Sequence, residues 1–314
     1  MKPKGPVVIA IVGPTCTGKT SLSLSLAKKL GGEIIACDSR TIYKRMDIGT
    51  AKPSKAEQSM VPHHAIDVLE PDRFFSVAEY KELAQAAIGD ICQRGKSPIV
   101  CGGTGLYARA LLEGIDIPSI PPHPELRELL NEVASEKGNA HLHDQLKKID
   151  AVTAQRLSVN DRRRIIRALE VSMVSGKAFS QLSVKKEAPF NTIWVGLRFQ
   201  ERTLHKRMIV ERLSNQFASG LITEALDLLA EPEFNSVLRS AVNYKEFVPY
   251  IEGKVSLEQV FDQCVLHNSQ LARKQMIWFR ANKGIRWYEL DNLSQEEILS
   301  DVIDSFMSTA NDCL

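Results

Sequence analysis

The chain has 314 residues and a mass of 35.0 kDa, enough for one large domain or two smaller ones. Its 44% hydrophobic and 25% charged residues are those of an ordinary globular protein, and a net charge of +2 excludes a globally basic nucleic-acid binder, so a polyanion must be met by local patches. Six scattered cysteines (Cys16, Cys37, Cys92, Cys101, Cys264, Cys313) suggest neither a zinc site nor disulfides, and the first apolar run is too short for a signal peptide or membrane span, so a cytoplasmic protein is expected.

Residues 7–12, Val-Val-Ile-Ala-Ile-Val, predict a buried strand that leads into Gly13-Pro14-Thr15-Cys16-Thr17-Gly18-Lys19-Thr20 and an amphipathic helix over residues 21–30. The loop fits G-x-x-x-x-G-K-[ST] between strand and helix, a phosphate-binding P-loop. Its glycines let backbone N–H groups curl around an anion, the helix N-terminus adds its positive dipole end, Lys19 supplies a point charge, and the Thr20 hydroxyl suits Mg²⁺. Alone, the motif suggests ATP.

Residues 33–37 predict a second strand that delivers Asp38-Ser39-Arg40 to the rim where a doubly wound sheet gathers its site loops. Position alone leaves Asp38 as a general base, a metal-shell residue or a turn and cap residue. The turn-rich stretch over residues 43–53 predicts a functional loop, and His63-His64 lacks further ligands for a metal. Ser76 and Glu79 form a capping box for a helix to Arg94, stopped by Gly95. A third strand over residues 97–101 carries Gly102-Gly103-Thr104-Gly105 to the same rim. A motor or switch NTPase places an acidic residue there. Glycines in its place argue against ATP hydrolysis and for a substrate that comes close to backbone. A helix over residues 106–113 follows.

Ile117-Pro118-Ser119-Ile120-Pro121-Pro122-His123-Pro124 is the clearest linker. Helical patterns follow at residues 125–137, 142–149 and 161–175, the first and last stopped by Gly138 and Gly176, and a strand returns at residues 192–197. Arg163, Arg164 and Arg167 can share a helix face that either meets nucleic-acid phosphates or is solvated and paired with Asp161 and Glu170. Helices over residues 202–219 and 257–280, a strand at 285–290 and a helix over 294–309 complete the pattern. The second of these helices interleaves basic residues with Trp278 and Phe279, which suits RNA, although the aromatics alone read as core. The expected fold is α/β: a P-loop NTPase-like parallel sheet flanked by helices (residues 1–117 and 190–314), with an inserted all-α domain (residues 118–189).

Several separated stretches resemble one family, the tRNA dimethylallyltransferases (tRNA isopentenyltransferases). They are GPTCTGKT at residues 13–20, Asp38-Ser39-Arg40-Thr41-Ile42-Tyr43, Met46-Asp47-Ile48-Gly49-Thr50-Ala51-Lys52-Pro53, Gly102-Gly103-Thr104-Gly105-Leu106-Tyr107, Asn160-Asp161 with Arg167-Ala168-Leu169-Glu170, and Arg273-Lys274-Gln275 with Trp278-Phe279-Arg280. The likeness runs from about residue 7 to residue 290. It implies transfer of a dimethylallyl group from dimethylallyl diphosphate to N6 of the tRNA adenosine just 3′ of the anticodon. The diphosphate would then sit in the P-loop (Gly13 to Thr20) with Mg²⁺ on Thr20. By resemblance Asp38 is the acid–base residue, Thr104 lies near the reacting centre, and Arg212 clamps the diphosphate. The same resemblance assigns tRNA contacts to Asp38, Ser39, Arg40, Thr41, Thr104, Arg127, Arg163, Arg164, Arg167, Arg273, Lys274, Gln275 and Arg280, and the target base is flipped out. A monomer is expected.

The chain departs from the family pattern at Asn243, where a Gly before Tyr-Lys is usual, and at Ser269, where an Arg is common. Asn tolerates left-handed backbone angles, so the loop can survive. A P-loop nucleotide or metabolite kinase, a P-loop RNA-binding module and a free-adenylate prenyltransferase are the competing readings. A small acceptor needs no long helical insertion, which argues against the last.

Overall fold

A computed structural model describes residues 5–115, 117–183 and 187–311. The chain divides into two compact units, residues 1–112 with 188–314, and the inserted residues 113–187. The sequence pattern puts the insertion at residues 118–189.

The first unit is built on β1, Val7–Val12, which is apolar at every position because both of its faces are covered. Successive side chains of a strand point to opposite faces. Val8, Ala10 and Val12 accordingly join one core, and Ile9 and Ile11 the other. Around β1 lie β2 (Glu33–Ala36), β3 (His63–His64), β4 (Pro98–Gly102), β5 (Asn191–Arg198) and β6 (Arg286–Glu289), all parallel in the order β3-β2-β4-β1-β5-β6. The registers put Val12 beside Gly102 on one side and Gly196 on the other. The loops after β1, β2 and β4 therefore emerge at one carboxyl edge, where open α/β sheets bind ligands.

Helix α1 (Lys19–Leu30) closes one sheet face, and its Leu22, Leu26 and Ala27 pack in the core that also holds Ile298 and Val302 from the C-terminal helix. Short α2 (Lys55–Met60) and long α3 (Val77–Gln93) each start on a complete capping box, Ser54 with Glu57 and Ser76 with Glu79. Helix α4 (Gly105–Leu112) ends this half of the unit.

In the inserted unit, α5 (Pro124–Ile149) is interrupted at Gly138, whose φ of 83° and ψ of 161° are not helical, so the expected stop is a kink between two helical segments. Helices α6 (Ala151–Arg156), α7 (Arg162–Ser175) and α8 (Phe179–Leu182) follow. Leu142, Leu146, Ile165, Ile166 and Leu169 form a separate core.

Back in the first unit come α9 (Arg202–Ala218), α10 (Leu221–Leu229), the short α11 (Asn235–Leu238) and α12 (Val248–Ile251), the long α13 (Leu257–Arg280) and α14 (Gln295–Asn311). Cys16, Cys37, Cys92, Cys101 and Cys264 are free thiols, and Cys313 lies outside the described residues. Among the described residues no helix is long and apolar enough to cross a membrane.

Candidate active site

The P-loop turns back on itself through backbone geometry that its residues permit. Gly13 has φ 144°, and a Cβ there would lie 2.3 Å from the Leu197 carbonyl oxygen, so the first position has room for glycine alone. Cys16 and Gly18 are left-handed (φ 62° and 72°), the kind of turn that gathers successive N–H groups into an anion-binding concavity ahead of α1. The Pro14 carbonyl accepts hydrogen bonds from Thr17 Oγ1 (2.9 Å) and Lys19 Nζ (2.6 Å), which draws the lysine across the loop. Burial lowers the Lys19 ammonium below its ordinary pKa, and the charge of Arg212 adds to that pressure. An anion would reverse it.

Two distant helices pin the loop. The Thr15 N–H donates to Gln275 Oε1 of α13 (2.8 Å), and the Thr15 carbonyl accepts from His205 Nε2 of α9 (2.8 Å). Burial holds His205 below the ordinary imidazole value, with the charges of Lys19 and Arg212 acting the same way.

The loops after β2 and β4 are stitched together beside it. The Cys37 N–H donates to the Cys101 carbonyl (2.7 Å), the Thr104 N–H to the Cys37 carbonyl (3.1 Å), and the Ser39 N–H to Thr104 Oγ1 (3.0 Å). Asp38 Oδ1 accepts from the Arg40 N–H (2.8 Å), an Asx turn that fixes the carboxylate on the rim. Asp38 therefore shapes a turn and caps no helix, and its other oxygen remains an acceptor.

This stitching explains the glycines that stand where an acidic residue would be in an ATP hydrolase. A Cβ on Gly102 would lie 2.1 Å from the Cys37 carbonyl oxygen, one on Gly103 2.3 Å from Gln275 Nε2, and one on Gly105 2.7 Å from Trp278 Cβ. Any side chain there would separate the β2 loop or α13 from the sheet edge.

The remaining residues of the sequence reading fall into distinct settings. Arg40 reaches the Ser240 carbonyl and hydroxyl (both 3.1 Å), and Thr41 is buried. On α13, Arg273, Lys274 and Arg280 are exposed, while Gln275 is buried against the P-loop. Phe279 is core, and Trp278 lies 5.8 Å from the Arg109 guanidinium carbon. In the inserted unit Arg127 grips Glu170 with two hydrogen bonds (2.8 and 2.9 Å), and Arg167 adds a third (2.6 Å). Arg164 pairs with Asp161 at 3.3 Å, and Arg163 is exposed.

The stretch over residues 43–53, expected to be a functional loop, is clamped at residues 47–49. Glu224 of α10 accepts from the N–H groups of Asp47, Ile48 and Gly49 (3.1, 2.8 and 2.9 Å) and from the Tyr244 hydroxyl (2.7 Å). Gly49 lies on the Tyr244 ring, where a Cβ would come within 2.6 Å. Sequence reasoning gave no role to Glu224, His205, Tyr244 or Asn268. Of these, Tyr244 alone stands in a stretch the sequence singled out, beside the unusual Asn243, and that stretch carried no role for it.

Known proteins place the chain. A family model described as IPP transferase matches residues 41–282, and one described as isopentenyl transferase matches residues 6–63. The tRNA dimethylallyltransferase of Chloroflexus aggregans is 44% identical over 296 residues, covering 93% of this chain and 99% of that protein. That of Thermomicrobium roseum is 39% identical, covering 97% and 93%. Among solved structures, the tRNA isopentenylpyrophosphate transferase of Bacillus halodurans superposes with a TM-score of 0.73 at 34% identity, covering 98% of this chain and 97% of that one. A eukaryotic dimethylallyltransferase acting on tRNA has a TM-score of 0.80 at 24% identity, covering 97% and 80%, and speaks for the fold alone. With a family model matching residues 41–282 and relatives at about 40% identity over nearly the whole length, the chain belongs to the tRNA dimethylallyltransferase family.

Proposed function

We propose that the protein transfers a dimethylallyl group from dimethylallyl diphosphate to N6 of the adenosine just 3′ of the anticodon in tRNA. The observation that carries this is the join between cradle and carboxylate. An anion-binding loop, with the charges of Arg212 and Asp38 both acting on Lys19, stands beside a rim turn in which Thr104 fixes Ser39 and the Arg40 N–H holds one oxygen of the half-buried Asp38.

The adenine N6 lone pair attacks C1 of the donor, the C1–O bond breaks, and the electron pair leaves with pyrophosphate. Asp38 takes the N6 proton, which keeps the attacking nitrogen neutral as the bond forms. Lys19, Arg212 and the loop N–H groups hold the charge that grows on the leaving oxygen, the term that electrostatic catalysis depends on. Thr104 orients the turn that carries Asp38.

Mg²⁺ fits the residues at hand. Thr20 offers a hard hydroxyl oxygen on the first turn of α1, and no cluster of three His, Cys, Asp or Glu among the described residues forms a protein cage for a softer metal. Thr20 would hold the ion together with the diphosphate oxygens and water, the hard oxygen donors that Mg²⁺ prefers. When bound, the ion neutralises the leaving diphosphate.

Arg163, Arg273, Lys274 and Arg280 are exposed cations suited to tRNA phosphates. We read Arg127 and Arg167 first as struts for Glu170, with tRNA contact a second use of the same guanidinium groups. The protein is proposed to act as a cytoplasmic monomer.

Mass spectrometry of tRNA after incubation with dimethylallyl diphosphate and Mg²⁺ tests the reading. The adenosine should gain a dimethylallyl group, and Asp38→Asn should slow the gain by roughly 10²–10⁴-fold. Full activity in Asp38→Asn would remove the carboxylate from the mechanism.

A further inference from the structure

We infer that Asn243 and Asn268 are positioning residues that aim Arg212 at the diphosphate, so that the unusual Asn before Tyr244-Lys245 extends the site rather than merely replacing a glycine. The inference rests on the reading of Arg212 as a diphosphate contact.

The geometry is a directed chain of hydrogen bonds. Asn243 Nδ2 donates to the Gly49 carbonyl (2.8 Å), Asn268 Nδ2 donates to Asn243 Oδ1 (2.7 Å) and to the Cys264 carbonyl (2.8 Å), and Arg212 Nη2 donates to Asn268 Oδ1 (3.0 Å). Both amides are almost fully buried, Asn243 at 2% and Asn268 at 1% exposure. Their orientations are forced, because the carbonyls can only accept and the guanidinium can only donate. Flipping either amide would set donor against donor or acceptor against acceptor in a low-dielectric interior, so the chain holds one arrangement.

The backbone supports it. Asn243 has φ 73°, the left-handed region that glycine and Asn adopt most easily, and its N–H donates to Glu246 Oε2 (2.8 Å). Glycine would satisfy the angle but could not reach Gly49 and Asn268. The far end is anchored too, since Gly49 belongs to the loop that Glu224 and Tyr244 clamp. Arg212 is thereby tied, through two amides, to the loop that Glu224 clamps, and its charge acts on Lys19. A long arginine has several rotatable bonds, and fixing one end of its guanidinium before ligand arrives removes part of the ordering cost of binding.

The test is a double-mutant cycle read in the affinity of the full chain for inorganic pyrophosphate with Mg²⁺, measured by calorimetry. Asn243→Gly removes the side chain and keeps the backbone angle. It should weaken binding roughly fivefold, Arg212→Ala roughly thirtyfold, and the two together still roughly thirtyfold, as expected of groups that act as a unit. Asn268→Ala, a good helix former on α13, should repeat the cycle and covers the case in which Asn243→Gly loses its fold. The Michaelis constant for dimethylallyl diphosphate should rise in both variants while that for tRNA stays put, which a loss of general stability would not produce. Multiplying effects in the cycle, or an Arg212→Ala protein that binds pyrophosphate like wild type, would overturn the inference. A wild-type protein that binds Mg²⁺–pyrophosphate yet transfers no prenyl group would overturn the proposed reaction and leave the cycle readable.

Discussion

Thr15 concentrates the energetics of the site in one peptide. Its N–H and C=O are each spent on a side chain from a different helix, Gln275 and His205, and an unpaired buried backbone group costs about 1–3 kcal/mol. The histidine makes that pin sensitive to pH. Its folded pKa lies below the ordinary value of 6.5 because it is buried and faces Lys19 and Arg212. Below 6.5 the unfolded chain binds the proton more readily than the folded one, so stability present above 6.5 is lost as pH falls through the folded pKa. His205→Gln keeps a donor and removes the titration. Thermal melts at pH 7.5 and 5.5 should show wild type losing stability that His205→Gln keeps. Equal losses would mean the imidazole does not titrate in this window.

At the scale of elements, α7 shows how one basic stripe divides its labour. Glu170 is fully buried, and burial alone would raise its carboxyl, but hydrogen bonds from Arg127, from the His123 N–H and from Arg167 hold it below the ordinary value. Removing one partner of a fully buried ion pair costs about 3–5 kcal/mol, but here the arginines left behind are 39% and 29% exposed, so water takes up part of their charge and the cost is smaller. Glu170→Gln keeps the shape and loses the charge, so it should lower the melting temperature of the helical unit by several degrees. Arg163 is exposed. Arg163→Gln should leave the melt alone and reduce the slope of log affinity for tRNA against log salt by about 1. An unchanged slope would return Arg163 to solvent. The sequence made the stripe, the P-loop, the capping box at Ser76 and the glycine rim readable, because each is a local pattern with a local cause. It did not reveal which arginine meets Glu170, since Arg127 stands far from Glu170 along the chain. Two-residue β3 and four-residue α11 and α12 are too short to carry periodicity. The clamp on residues 47–49 depends on Glu224 and the Tyr244 hydroxyl that holds it, nearly two hundred residues on, so the stretch read as functional is, in its backbone, first a scaffold.

On the scale of the whole molecule, the two units have cores with no residue in common: Leu142, Ile165 and Leu169 in one, the two faces of the sheet in the other. Chains of this kind need not unfold in one step, and a single melting temperature can hide where a perturbation acts. Two perturbations address the units separately. Mg²⁺–pyrophosphate at about one hundred times its dissociation constant stabilises whatever binds it by about 2.7 kcal/mol, and the P-loop, its proposed cradle, belongs to the unit of residues 1–112 and 188–314. Glu170→Gln acts on the core of residues 113–187. Hydrogen exchange read by mass spectrometry should therefore show ligand protecting peptides from the P-loop, β1, α9 and α13, and the substitution deprotecting peptides from α5 and α7. If Glu170 acts within its own core alone, pyrophosphate affinity in Glu170→Gln should stay within about twofold of wild type. If instead the substitution deprotects Thr15 and weakens pyrophosphate, the helical unit takes part in forming the diphosphate site, and its arginines gain a role beyond tRNA.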